Sequence, residues 1–203
     1  HLEIQGEDVT VTDTDSENRD DWLIRQIAEG NRRAFEELFE SYGKRVFRYA
    51  VRMIGDVTKA EEVTNDVMLE VWKSAAKFEG RSRPSTWILG ITRHRALNAV
   101  RGKTFDTVDI DDAPEIADDA PEPSGGDEER VRDKLKDALA RLSPDHRDVI
   151  ELTFFHGRTY HEIAQIVGCP PNTVKTRMFH AKKQLQTVLR QFGLDDLVVG
   201  GSR

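Results

Sequence analysis

Between Pro170 and Arg190 the sequence carries Asn172, Thr173, Lys175, Thr176, Arg177, His180, Lys182 and Lys183, and no aspartate or glutamate. Cations and short polar side chains gathered without a counter-charge suit a polyanion. The cations pair with phosphates, while amides and hydroxyls can hydrogen-bond to base edges. A second acid-free window runs from Gly80 to Phe105 and holds Arg81, Arg83, Arg93, Arg95, Arg101 and Lys103 around Trp87. Exposed cations beside an aromatic are how proteins track a single strand: the charges follow the backbone and the ring offers a face for stacking. On the residues alone Trp87 is as readily a core side chain, since large aromatics are mostly well buried.

Other chemistries lack their residues. His156 and His161 are five apart and do not share the i, i+4 face of a helical metal pair. The single cysteine, Cys169, excludes an intrachain disulfide, and its place in a turn predicts a packed thiol and not a reactive one. The carboxylates concentrate in residues 1–21 and 104–129, without a companion histidine or a glycine-rich phosphate cradle. No catalytic site, metal, cofactor or small-molecule substrate is expected.

Helices must position the cations. Thr159 followed by Glu162 is a capping box, in which hydroxyl and carboxylate satisfy each other's free amides at a helix start. Ile163, Ala164, Ile166 and Val167 make an apolar face behind it, and Gly168 supplies the permissive backbone with which helices end. Pro171 suits a first helical position, and Val174, Met178, Ala181 and Leu185 continue an apolar stripe. Two helices joined by a short turn, the second with a polar start and cations, make a helix-turn-helix whose second helix fits the major groove. Upstream, Val131, Leu135, Ala138 and Leu142 mark one helix, and Ser143-Pro144 opens another carrying Val149, Ile150 and Leu152.

The N-terminal half is also helical in pattern. Trp22, Leu23 and Ile27, then Ala34, Phe35, Leu38 and Phe39, predict two short helices interrupted near Gly30-Asn31. Val46, Phe47, Ala50, Val51 and Ile54 make the next stripe, ended by Gly55. Asp56 then caps a helix lined by Ala60, Val63, Val67, Val71 and Ala75. Glu62, Asn65, Asp66 and Leu69 project from other sides of that helix, as a solvated surface or as a face for a partner. In the arginine-rich window Ile88, Ile91, Leu97 and Val100 are the expected buried stripe.

With 203 residues the chain suits one or two small domains. No long uncharged apolar run suits a membrane span and no leader-like N-terminus is present, so a cytoplasmic protein is expected. The net charge of −7 conceals opposite segments: residues 1–21 carry −7 and residues 104–129 carry −11, which leaves +11 on the remainder. Steering of a polyanion depends on that local field and not on the total. Residues 1–21 are expected to be a disordered tail. Residues 104–129, with prolines at 114, 121 and 123 and Gly125-Gly126, are expected to be a flexible acidic linker.

Two blocks resemble one family. Ser143-Pro144 through Leu189, especially Thr159, Glu162, Ile163, Ala164, Gly168 and Thr173-Val174-Lys175-Thr176-Arg177, is similar to the fourth conserved region of bacterial extracytoplasmic-function (group 4) sigma factors. Response-regulator DNA-binding domains share much of this pattern. The N-terminal half decides between them: Ala60 to Trp72 resembles the family's second conserved region, and Phe78, Gly80, Thr86-Trp87-Ile88 and Ile91-Thr92-Arg93 continue it in register. The chain departs from the usual pattern at His94, Asn98 and Pro170, where the family more often has asparagine, aspartate and a capping serine.

The resemblance implies an all-α protein of two small helical domains, residues 22–103 and 130–193, joined by the linker and followed by a tail at 194–203. It implies a non-enzymatic subunit that binds core RNA polymerase through Glu62, Asn65, Asp66 and Leu69. Promoter contacts to the minus-10 element would come from Arg81, Arg83, Ser85, Thr86, Trp87, Arg93, His94, Asn98 and Arg101. Those to the minus-35 element would come from Pro171, Asn172, Thr173, Lys175, Thr176, Arg177, His180 and Lys182. An anti-sigma factor is the further partner implied. The competing class is a stand-alone helix-turn-helix regulator, which would bind its operator without polymerase and usually as a dimer.

Overall fold

A computed structural model describes residues 10–102 and 126–194. Among these residues all regular structure is helical: α1 (Thr10–Ala28), α2 (Arg32–Ile54), α3 (Val57–Ser74), a 3-10 turn (Ala75–Lys77), α4 (Pro84–Gly102), α5 (Gly126–Ala140), α6 (Pro144–Phe154), α7 (Tyr160–Val167) and α8 (Pro171–Gln191). The chain divides into two compact units between Pro114 and Glu115, inside the expected linker.

In the first unit α2 is the central helix and packs against α1, α3 and α4. The Asn31 side chain accepts from the amides of Arg33 and Ala34 at its start, and Gly55 ends it at φ +71°, a conformation that favours glycine. The second expected short helix and the Val46 stripe are therefore one continuous helix. Its core side, Leu38, Val46, Tyr49 and Ala50, is fully buried, as are Leu23 and Ile24 of α1, Val67 and Val71 of α3, and Ile88 and Leu89 of α4. Each large aliphatic side chain so buried contributes roughly 1.5–3 kcal/mol, which is what holds four helices of modest intrinsic stability together.

Two expectations for this unit need correction. Residues 10–21 are helical and not a tail, because α1 runs back from Trp22 to Thr10. The Arg19 guanidinium makes a bidentate pair with Glu37 of α2 at 2.8 and 2.7 Å and lies 4.4 Å over the Trp22 ring, while the Tyr42 hydroxyl donates to Asp20. The buried side of α4 is also rotated from the expected stripe. Ser85, Ile88, Leu89, Thr92 and Ala96 face inward, Ile91 and Leu97 are half-buried and Val100 is exposed. Small side chains let α4 approach closely, and the buried Thr92 hydroxyl is satisfied by donating to the Ile88 carbonyl at 2.8 Å.

The Arg19 pair makes the middle of α1 acid-sensitive. Hydrogen bonding from Arg19 holds the Glu37 carboxyl below its ordinary range. A lowered carboxylate pKa stabilises the fold above the ordinary value, and that contribution is lost as pH falls through the depressed one. The protection of amides 19–22, meaning exchange relative to the intrinsic rate at each pH, should fall on acidification through that window, with the global melting transition little changed because the pair is exposed. Glu37→Gln should remove the pH dependence of that protection; an unchanged acid response of the protection would refute the assignment.

The second unit is built around α8, which packs against α5, α6 and α7. Ala138, Val188 and Leu189 form one cluster with Leu135, Leu185, Phe192 and Leu194 against it. Leu194, expected in the tail, thus belongs to the unit. Residues 126–129, expected in the linker, open α5, while 103–125 lie outside the described residues. Arg147 of α6 closes the end of α5 by donating to the carbonyls of Leu139, Ala140 and Leu142 at 3.1, 2.7 and 3.4 Å. Burial lowers its pKa, an effect opposed by the charges of Glu151 and Asp148.

Candidate nucleic-acid interfaces and docking face

The helix-turn-helix forms as its sequence predicts. Thr159 and Glu162 complete the capping box of α7, Gly168 ends that helix at φ +71°, and Pro171 opens α8. Val174, Met178 and Ala181 are buried and Leu185 half-buried, so the opposite side of α8 faces outward. Asn172, Lys175, Thr176, His180 and Lys182 are exposed there, with Pro171 and Thr173 half-buried beside them. The N-cap Pro170 makes no side-chain cap.

Several of these side chains have partners within the unit. The Thr176 hydroxyl donates to the Asn172 carbonyl at 3.0 Å. His180 stacks at 6.4 Å on His146, and the Lys182 ammonium stands 5.6 Å over the Phe154 ring. Arg177 is only half-exposed and pairs with Asp145 of α6 at 2.7 Å. Phe179, which sequence reasoning did not select, is 65% exposed on the same side as Asn172, Thr176 and Lys183. Its signal was positional: it follows Thr176 by three and lies off the Val174, Met178, Ala181 row. An aromatic there can meet a thymine methyl.

On α4, Trp87, His94, Asn98 and Arg101 recur at i, i+7, i+11 and i+14 and so share one side of the helix. His94, Asn98 and Arg101 are exposed, and Trp87 is half-buried with its ring 4.8 Å from Phe78. Trp87 is therefore neither wholly core nor wholly open. Arg93 is half-buried and lies off that row. Arg81 and Arg83 are exposed ahead of the helix, Arg81 paired with Glu79 at 2.8 Å. Ser85 and Thr86 are withdrawn from the candidate set: they are 6% and 2% exposed at the packed start of α4. Arg95 is turned away to Glu70 of α3 at 2.8 Å.

The third surface is on α3. Glu62, Asn65, Asp66 and Leu69 are all exposed, with Val63, Thr64, Val67 and Met68 buried behind them. Leu69 is 47% exposed, high for an apolar side chain in mid-helix. One turn on, Trp72 meets Phe35 of α2 at 5.3 Å, and Phe35 meets Phe39, itself exposed, at 6.3 Å. The acidic and apolar face of α3 thus continues into an aromatic ledge of Trp72, Phe35 and Phe39. Leu69 falls outside the Val63, Val67, Val71 row, which was the available signal, whereas Phe39 belongs by spacing to the apolar series of α2 and only the structure shows it exposed.

Comparison with known proteins identifies the family. Residues 38–105 match the Sigma-70 region 2 family and residues 132–185 match Sigma-70, region 4. The ECF RNA polymerase sigma factor SigK of Mycobacterium ulcerans is 30% identical over 176 residues, covering 82% of this chain and 91% of that protein. SigL of Mycobacterium tuberculosis is 29% identical over 161 residues, covering 77% and 89%. The fold is also like that of CnrH, solved in complex with the cytosolic domain of CnrY, with a TM-score of 0.65, 22% identity and coverage of 85% and 98%. The sigma factor RpoE of Bartonella quintana, solved with the anti-sigma factor NepR, gives a TM-score of 0.65, 24% identity and coverage of 77% and 96%. Two matched regions in order, over most of the chain, together with the helix-turn-helix and the α4 surface, make this chain a member of the ECF RNA polymerase sigma factors.

Proposed function

We propose that the protein is an alternative sigma factor of group 4 which binds core RNA polymerase in the cytoplasm, reads minus-35 and minus-10 elements and promotes promoter melting. It acts as a subunit with no catalysis of its own. The observation that carries the reading is the coexistence, in one chain, of a basic helix-turn-helix and a separate unit with a cationic, aromatic-bearing helix and an acidic-apolar face. A stand-alone regulator needs only the first. Asn172, Thr173 and Lys175 would read minus-35 bases from the start of α8, and Trp87, His94, Asn98 and Arg101 would hold the opened minus-10 strand. The α3 face would dock on polymerase. An anti-sigma factor would compete for that face; the fold likeness to RpoE of Bartonella quintana, solved with the anti-sigma factor NepR, supports this part.

Transcription in vitro with core polymerase and a randomised promoter library tests the whole reading, since it requires activity and returns the recognised sequence. Operator binding without polymerase, and no polymerase-dependent transcription, would overturn it.

Melting gives a sharper test. Holding an unstacked base must offset a few kcal/mol of lost stacking. Arg101→Gln should therefore slow open-complex formation on duplex promoters more than on pre-melted ones, and Arg93→Gln, off the exposed row, should do so less. Equal defects on both templates would mean simple backbone binding.

A further inference from the structure

Arg177 belongs to the polar run at the start of α8, where a cation would ordinarily be assigned to a phosphate. Its geometry is different. One guanidinium nitrogen, Nη2, lies 2.7 Å from Asp145 Oδ2, and Nη1 approaches Cys169 Sγ at 3.9 Å. Asp145 is in the first turn of α6, directly after Ser143 and Pro144, and Cys169 lies in the turn between α7 and α8. A single side chain of α8 thus touches the start of α6 and the turn that leads into its own helix. Arg177 follows Val174 by three and precedes Met178, so it flanks the buried row and not the outward face.

We propose that Arg177 is a positioning residue which, through Asp145, sets the rotation of α8 and hence the presentation of Asn172, Thr173 and Lys175 to base edges. The proposal rests on the reading of α8 as the minus-35 helix. A partly exposed ion pair adds little to stability, so its effect falls on orientation. A planar guanidinium with two separate contacts fixes direction in a way that a point charge does not. The Asp145 carboxylate, 49% exposed, would repel a phosphate brought to the same guanidinium.

The two roles for Arg177 predict different outcomes for one substitution. If Arg177 is a phosphate contact held back by Asp145, Asp145→Asn frees it, tightens binding to every sequence and steepens the salt dependence. If Arg177 positions the helix, Asp145→Asn lowers discrimination. The measurement is the affinity of the holoenzyme, full chain with core polymerase, for a duplex carrying the library-selected minus-35 element, divided by that for one with the element scrambled, over a salt series. Asp145→Asn and Arg177→Gln should each reduce this ratio about tenfold, the size of one misplaced base contact. The salt slope should stay unchanged and the double variant should be no worse than either single one.

The exchanged pair Asp145→Arg with Arg177→Asp should recover much of the ratio. Tighter binding of Asp145→Asn to all sequences, no effect of it, or additive losses would overturn the proposal. So would an exchanged pair that regains the parental melting temperature without the ratio. If the parent itself shows no minus-35 preference, the reading of α8 has failed, and that outcome is distinguishable because it appears before any variant is made.

Discussion

Asp66→Lys is expected to weaken binding to core RNA polymerase by about thirtyfold, or on the order of 2 kcal/mol, which is what loss of a central charged contact with reversal of its sign costs at an interface. The fold should be untouched, because Asp66 is exposed while its neighbours Val67 and Met68 carry the packing. Leu69→Ala should give a smaller loss by removing apolar contact and not charge. Its effect should persist at high salt, whereas that of Asp66→Lys should be partly screened. Titration of fluorescent protein with core enzyme, alongside a thermal melt, measures both. Parental affinity in the Asp66 variant would move the docking surface away from α3, with the aromatic ledge of Phe35, Phe39 and Trp72 as the next site to test.

Lys175→Ala and Lys182→Ala should separate reading from holding. Lys175 is exposed on the first turns of α8, where side chains reach base edges. Its loss should remove roughly 1–3 kcal/mol from the preferred minus-35 sequence and little from a scrambled one. Lys182 stands farther along, over the Phe154 ring, a placement that suits a backbone phosphate. Its loss should weaken all sequences alike and flatten the salt slope by about one unit. Equal losses on every sequence for both variants would show that α8 enters the groove in a different register from the one inferred.

Local chemistry explains why so much of the second unit was legible in advance. The Thr159 and Glu162 box, Gly168, Ser143-Pro144 and Pro171 act within a turn of their own positions, and each does in the structure what its type predicts. The all-helical class follows likewise from apolar spacing. The acidic-apolar sides of α3 and the acid-free helices α4 and α8 were visible as composition. Tertiary structure decided which sides of those helices are open. Ser85 and Thr86 look like exposed polar residues by type, but close packing at the start of α4 buries them, and Thr92 goes with them because its hydroxyl can be satisfied within its own helix. Arg95 and Arg177 resemble their cationic neighbours in sequence, and only the positions of Glu70 and Asp145 on other helices turn them inward. Likewise, no periodicity announces that Arg19 and Asp20 anchor α1 onto α2, since that depends on Glu37 and Tyr42 arriving opposite them. Spacing along one helix determines which residues share a side; which side meets solvent, and which charge finds a partner, is determined by helices far apart in the chain.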